Sequence, residues 1–227
     1  MDGAIVSPWL HWYTAHRHAV MFYSLLLVIS GGAVFRALGW SPLVFQALVA
    51  ANLVAVTVDP NPGAIRRAAL IAVLAAIAIA GVSDTIAYAR GVSLALLLWS
   101  VLAFVGVVGV VRFALARGRT RAEHVYAGVS VYLVAGLYLG VVYHVLDTAA
   151  PGSFLVMGEP STGLSLDRTI YFSFVTIATL GYGDIVPNTD VTRGLAILEA
   201  VTGQLYVAVL IARLVGSFAV QRESEER

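Results

Sequence analysis

Long apolar runs separated by short polar breaks dominate the sequence. Each run approaches the roughly 20 residues that a helix needs to cross the hydrocarbon of a bilayer, so the pattern predicts six membrane-spanning helices. The second run begins at Pro42 and contains the polar residues Gln46 and Asn52. It could therefore form a half-buried or tilted helix instead, in which case the chain has five spanning helices. The six runs lie at about residues 19–35, 42–58, 67–83, 91–116, 123–147 and 191–220.

A shorter apolar stretch, residues 168–178, lies between the fifth and sixth predicted helices. It is apolar enough to enter a membrane but too short to cross one. Irregular backbone at membrane depth is tolerated only where protein or a water-filled cavity surrounds it. We therefore expect an all-α membrane protein with a re-entrant helix, and we expect the residues after that helix to line a pore or cavity.

Arginine positions predict the orientation of the chain. Basic residues concentrate in cytoplasmic loops, and all 14 basic residues here are arginine. With a cytoplasmic N-terminus most of them fall on the inner side, which predicts a multi-pass protein of the cell membrane with both termini in the cytoplasm. The inner set is Arg17, Arg66, Arg67, Arg117, Arg119, Arg121, Arg222 and Arg227, and the outer set is Arg36, Arg90, Arg168 and Arg193.

Composition excludes several classes of function. Only 12% of the residues are charged and 59% are hydrophobic, whereas about a quarter of an ordinary soluble domain is charged. There is no cysteine and the formal net charge is +1, which argues against a disulfide framework and a nucleic-acid partner. An enzyme is not expected either, because His144 and Glu199 have no helix-borne partner that suggests catalysis.

Glu199 lies within the last predicted helix, where an ionisable group is costly unless it is neutral, paired or facing water. Two interpretations stay open for it. It forms a structural hydrogen bond behind the pore-lining segment, or it faces a water-filled cavity and attracts cations.

The segment that follows the short helix is Thr179-Leu180-Gly181-Tyr182-Gly183. Consecutive carbonyls point at one axis only if the backbone alternates between right- and left-handed conformations, and Gly181 and Gly183 adopt the left-handed one without a Cβ penalty. The carbonyls of residues 179–182, with the Thr179 hydroxyl, would then form one wall of stacked oxygen cages. Closing such cages requires four copies of the segment, and this sequence contains one.

Residues 168–203 resemble the pore of the tetrameric potassium channel superfamily, and residues 123–220 resemble its complete module of outer helix, pore helix, filter and inner helix. The filter Thr179 to Gly183 differs from Thr-Val-Gly-Tyr-Gly only by leucine in place of valine. The resemblance implies a homotetramer in membrane lipid that conducts K⁺ passively and has no cofactor apart from the permeant ions. A nonselective monovalent cation channel and a non-conducting partner subunit of a mixed tetramer are the alternatives.

The resemblance also implies roles for residues around the filter. Asp184 is the acid of the outer mouth, and Thr176 lies in the pore helix near the filter base. Tyr171 occupies a position where many members have a tryptophan, and its hydroxyl would replace the indole as a partner of Asp184. Val175 stands where some bacterial members carry a buried glutamate. Gly203 stands at the inner-helix hinge of the family, although a glycine that permits close helix packing fits equally well.

The sequence predicts four regions. They are an interfacial cytoplasmic segment at 1–18, a four-helix membrane domain at 19–116, a pore domain at 117–220 and a cytoplasmic tail at 221–227. Residues 91–111 carry no charge, and only Arg112 and Arg117 follow them, so the four-helix domain lacks the arginine array of a voltage sensor. It is either a peripheral scaffold or a site for a lipid or small ligand, and we expect weak voltage dependence.

Overall fold

The computed structural model describes residues 8–39 and 122–225. The predicted helices at 42–58, 67–83 and 91–116 lie outside the described residues, as do Arg112 and Arg117.

The first described helix, α1, spans Pro8–Ala37. It begins well before the predicted start at residue 19, and proline suits a first helical position because its missing N–H would have no partner there. Non-helical torsions at His16 (φ −117°, ψ 15°) divide α1 close to the predicted boundary at residue 18. The segment 1–18, predicted as a separate interfacial region, is therefore helical from Pro8 onward.

Two helices of the described ranges are long and apolar enough to cross a membrane. They are α2, Ala122–Ala149, and a C-terminal helix, Asp190–Glu225, and both agree with the predicted runs to within a few residues at most ends. The N-terminal helix packs against α2, where Phe22 and Tyr126 place their ring centroids 5.6 Å apart. Half of the apolar window of α2 is buried, against 17% for the C-terminal helix.

The short apolar stretch forms α3, Leu166–Ile177. Twelve residues extend about 18 Å, well short of the roughly 30 Å of hydrocarbon, so the re-entrant length is as predicted. This helix packs tightly against α2 because two glycines leave room for it. A Cβ on Gly136 would lie 2.8 Å from Cζ of Phe174, and one on Gly140 would lie 2.7 Å from Cα of Ile170.

Three short strands form an antiparallel sheet in the order β2-β1-β3, with β1 at Phe154–Val156, β2 at Glu159–Pro160 and β3 at Ile185–Pro187. Met157 (φ 52°) and Gly158 (φ 90°) connect β1 to β2. Two residues with positive φ are typical of a tight hairpin turn. The all-α prediction is corrected here, because the loops on either side of α3 contain this sheet. The C-terminal helix, Asp190–Glu225, is α4.

An aromatic cluster joins the sheet to the helices. Tyr143 of α2, Phe154 of β1 and Phe172 of α3 pack edge to face, with centroids 5.1 to 5.6 Å apart. Edge-to-face contacts between buried rings are favourable beyond the area that they bury. Leu164 and Ile185 complete this core, which therefore holds both ends of the segment between α3 and β3.

Candidate functional site

The segment after α3 begins on the last carbonyls of that helix. The Leu180 N–H donates to the Val175 carbonyl at 2.9 Å, and the Thr179 N–H donates to the Thr176 carbonyl at 2.9 Å. The Gly181 N–H also reaches the Val175 carbonyl, at 3.4 Å. The position of α3 therefore fixes where the predicted filter starts.

Left-handed backbone recurs at every second residue of the predicted filter. Thr179 has φ 57°, Gly181 φ 59° and Gly183 φ 81°, whereas Leu180 and Tyr182 have no positive φ. The two glycines agree with the sequence argument, but Thr179 was not predicted to adopt this conformation. A β-branched residue is rare there, and such strain is concentrated at functional sites. This alternation agrees with the backbone that the sequence argument expects for carbonyls turned toward one axis.

The C-terminal end of the predicted filter is held at Asp184. Its carbonyl accepts the Met157 N–H at 2.9 Å, which joins it to the hairpin turn. Tyr171 of α3 lies near the Asp184 side chain, and desolvation together with the Asp184 charge raises the pKa of Tyr171 above its ordinary value. The hydrogen bond from Tyr171 to Asp184 that the sequence suggested stays a prediction.

One side of the predicted filter is not covered by any part of the chain that the structure describes. Leu180 is 55% exposed and Tyr182 is 67% exposed, although both are apolar or aromatic. Large apolar side chains of α4 are exposed as well, and they recur along its length. These are Val191, Ile197, Leu198, Val201, Leu205, Val209, Ile211 and Val215.

The C-terminal end of α3 rests on α4. A Cβ on Gly203 would lie 2.5 Å from Cγ1 of Ile177, so the glycine permits close contact between these helices. The neighbouring Gln204 donates its amide to the Ile177 carbonyl at 3.3 Å. This geometry favours the close-packing interpretation of Gly203. Sequence reasoning missed Gln204, whose signal was a polar residue one step after that glycine.

Glu199 lies in a buried polar cluster between three helices. Its side chain is 0% exposed. Oε2 accepts the Tyr143 hydroxyl of α2 at 2.8 Å, and Oε1 lies 2.5 Å from the Ser173 hydroxyl of α3. The structural interpretation of Glu199 is thus confirmed, and the cavity-facing interpretation is wrong. Sequence reasoning did not identify Tyr143 or Ser173, because their apolar surroundings give no pattern that marks them.

A second buried acid, Asp147, organises the loop between α2 and α3. It is 0% exposed, and it accepts the Ser161 hydroxyl at 2.5 Å and the Leu164 N–H at 2.6 Å. The carbonyl of Leu164 lies 2.9 Å from Nδ1 of His144. Sequence reasoning also missed Asp147, although an acid near the end of an apolar helix was an available signal. These bonds fix the entry to α3.

The polarity of α3 suits a cation near its C-terminal end. Asp167 lies in its first turn, and its last turn has no basic residue. A helix carries partial positive charge at its N-terminus and partial negative charge at its C-terminus, so the acid is placed favourably. The C-terminal end, next to the predicted filter, keeps its negative partial charge. Val175, which stands where some bacterial members carry a glutamate, is buried in this last turn and adds no charge to it.

Comparison with known proteins bears on this module. Residues 131–219 match the model of a family described as ion channel. Two-pore potassium channel 4 of Arabidopsis thaliana is 46% identical over 54 residues, which cover 24% of this chain and 19% of that protein. Two pore potassium channel a of Oryza sativa subsp. japonica is 38% identical over 73 residues, covering 31% and 20%. The protein YugO of Bacillus subtilis (strain 168) is 33% identical over 63 residues, covering 28% and 19%.

The matched family range runs from within α2 through the sheet, α3 and the predicted filter to α4. A short helix between two apolar helices, followed by a glycine-containing segment of alternating handedness, defines a pore-loop module of a membrane protein. Residues 131–219 are therefore similar to an ion-channel family, and the curated relatives that match part of the chain include potassium channels. The chain spans about a fifth of the length of the curated relatives that it matches.

Proposed function

We propose that this chain is a subunit of a potassium-selective channel that conducts K⁺ passively across a membrane. The observation that carries the proposal is the left-handed backbone at Thr179, Gly181 and Gly183. With this alternation, the carbonyls of residues 179–182 and the Thr179 hydroxyl replace the hydration shell of K⁺ ions in stacked cages. The bonds from α3 and from the hairpin turn hold the two ends of this filter.

A single chain supplies one wall of each cage, so the proposed pore contains four copies around one axis. Two sets of exposed side chains support this arrangement. Leu180 and Tyr182 expose their side chains next to the filter, and α4 exposes apolar residues such as Ile197 and Leu205. Apolar surface of this extent in membrane helices is covered by lipid or by neighbouring subunits, and the filter side requires protein.

The membrane arrangement is part of the same proposal. The subunit has six spanning helices with both termini in the cytoplasm of the cell, and the N-terminal four carry no voltage-sensor array. Arginine positions support this orientation, because the inner loops contain more of them than the outer loops.

Potassium flux from liposomes that contain the purified full chain tests the activity. We expect K⁺ to leave much faster than Na⁺, and we expect deletion of Tyr182 and Gly183 to abolish this preference because two cages disappear. Gly194→Ala is the matched control, since a Cβ at that helical glycine meets nothing within 4 Å. Equal K⁺ and Na⁺ flux in the unaltered protein would favour a nonselective cation channel.

Mass measurement of the conducting form in mild detergent tests the stoichiometry. Four chains per particle are expected. A conducting monomer or dimer would exclude the arrangement, and a particle of four chains without any flux would favour the mixed tetramer with a separate conducting subunit.

A further inference from the structure

The polar cluster around Glu199 contains three short contacts between oxygen atoms, but its two hydroxyl groups supply only two hydrogens. Besides Glu199, the Ser173 hydroxyl oxygen lies 2.7 Å from the Gly136 carbonyl of α2. The cluster therefore has three short oxygen–oxygen contacts: Tyr143 to Oε2, Ser173 to Oε1, and Ser173 to the Gly136 carbonyl. Each is within the distance of a normal or strong O–H···O hydrogen bond.

Three such contacts need three hydrogens. Tyr143 and Ser173 supply one each, and a carbonyl oxygen and an ionised carboxylate supply none. If Glu199 were ionised, Ser173 would donate to it and would then face the Gly136 carbonyl at 2.7 Å with lone pairs on both oxygens. A hydrogen on Oε1 removes this conflict, because Glu199 donates to Ser173 and Ser173 donates to Gly136.

The surroundings of Glu199 agree with a neutral acid. From α2 and α3 the polar groups that face it are Tyr143, Ser173 and, at longer range, Tyr132. Within the described ranges no basic side chain contacts it. Burying an unpaired carboxylate at membrane depth costs several kcal/mol, and protonation removes most of that cost.

We propose that Glu199 is a protonated positioning residue that holds the pore helix α3 through Ser173. The path to the filter is short, because Ser173 lies two residues before Val175, whose carbonyl accepts the N–H groups of Leu180 and Gly181. Loss of the Glu199 hydrogen bond lets α3 shift and makes the conducting filter less stable. The effect on conduction rests on the proposed channel function, whereas the protonation state does not.

Infrared difference spectroscopy of the wild type against Glu199→Gln tests the protonation state directly. The wild type should show the C=O band of a hydrogen-bonded carboxylic acid at neutral pH, and the band should disappear in the variant. A carboxylate band in its place would overturn the proposal. This measurement needs no ion flux, so it stands if the channel function fails.

Conduction tests the positioning role. Glutamine keeps both parts of the arrangement, since its amide donates to Ser173 and its carbonyl accepts from Tyr143, so Glu199→Gln should conduct and inactivate like the wild type. Glu199→Leu removes the hydrogen bonds to both Tyr143 and Ser173. It should inactivate on the order of tenfold faster, as expected for the loss of the one hydrogen bond that reaches α3. If Glu199 acted through charge, both variants would fail alike, and that result would overturn the proposal.

Two further variants separate positioning from general loosening of the fold. Ser173→Ala should reproduce the faster inactivation. The double variant Ser173→Ala/Glu199→Leu should inactivate no faster than Glu199→Leu alone. If Glu199→Leu does not assemble, Ser173→Ala serves as the test in its place. Tyr206→Phe is the control, because the Tyr206 hydroxyl donates to the Gly128 carbonyl at 2.6 Å, and this hydrogen bond links α4 to α2 rather than to α3. Equal effects of Tyr206→Phe and Ser173→Ala on inactivation would contradict a role through the pore helix.

Discussion

Gly183 has the largest positive φ in the filter, 81°. An alanine in a left-handed conformation costs about 1–2 kcal/mol, and the cost recurs in each of the four proposed copies. We expect Gly183→Ala to abolish selective K⁺ flux while the helices still form, as measured by flux and by circular dichroism. Gly194→Ala, with open space around its added Cβ, should conduct normally. Normal selectivity in Gly183→Ala would show that this backbone position does not form a cage.

The predicted hydrogen bond from Tyr171 to Asp184 is the second residue-scale feature expected to affect the filter, because the two side chains lie close enough to interact electrostatically. Tyr171→Phe removes the donor and leaves the ring, so we expect faster decay of K⁺ current during sustained opening. The same change in an Asp184→Asn background should add little, because the acceptor charge is already lost. Tyr23→Phe, on α1 with its side chain 59% exposed, is the control. Unaltered decay in Tyr171→Phe would show that the Tyr171 hydroxyl does not stabilise the filter through Asp184.

At single residues, the sequence predicts what local chemistry dictates and misses what depends on the folded loop. Gly181 and Gly183 were identifiable because only glycine adopts positive φ without penalty. The left-handed Thr179 was not, because its conformation comes from the bonds that pin the segment to α3. Asp147 and Ser161 are 14 positions apart, and no sequence pattern indicates that they meet.

At the scale of elements, hydropathy predicted α2, α3 and α4 closely, because long apolar runs and one short run leave few alternatives. The extension of α1 to Pro8 was missed, since residues 8–18 are rich in aromatic and histidine side chains and lack a continuous apolar run. The sheet was missed for a different reason. Strands of two or three residues are too short to show alternation, and β3 pairs with β1 across the whole of α3.

The contact between α3 and α4 at Gly203 yields a prediction at the scale of elements. An added Cβ would overlap Ile177, and overpacking of this kind costs about 1–3 kcal/mol. We expect Gly203→Ala to lower the melting temperature of the assembled protein in detergent. Combining it with Ile177→Ala should cost less than the two single changes together, because the second substitution frees the space.

A hinge at Gly203 makes the opposite prediction. In that case Gly203→Ala would leave the melting temperature unchanged and would reduce the open time of the channel, and Ile177→Ala would not restore it. Melting curves and single-channel records of the same three variants distinguish the two roles.

At the scale of the whole molecule, the described elements differ in how well they are buried. The sheet, α2 and α3 are packed against one another, whereas α4 is incompletely covered. The sheet, α2 and α3 share the aromatic core around Tyr143, whereas α4 has only 17% of its apolar window buried. The exposed face of α4 is the surface that lipid or the proposed neighbouring subunits would cover. The sequence predicted an assembly from the single filter segment, but it did not predict that the Glu199 and Asp147 clusters would be complete within one chain.

Voltage dependence is a property of the whole subunit, and we expect it to be weak. Moving one elementary charge across the whole membrane field is worth about 2.3 kcal/mol per 100 mV, and steep gating uses several arginines in each of four subunits. The sequence offers Arg112 and Arg117 after an uncharged stretch. They lie five positions apart, about 7 Å along a helix, at the predicted cytoplasmic end where most of the field has already been crossed. Even a full displacement would therefore carry little charge.

Gating charge recorded from a non-conducting channel measures this directly, because ions moving in the filter no longer contribute. Little or no gating charge is expected, and neutralising Arg112 and Arg117 to glutamine should leave the record unchanged. Several charges per tetramer that disappear in the double variant would instead identify the N-terminal helices as a voltage sensor, since only charged groups that move within the field produce such a current.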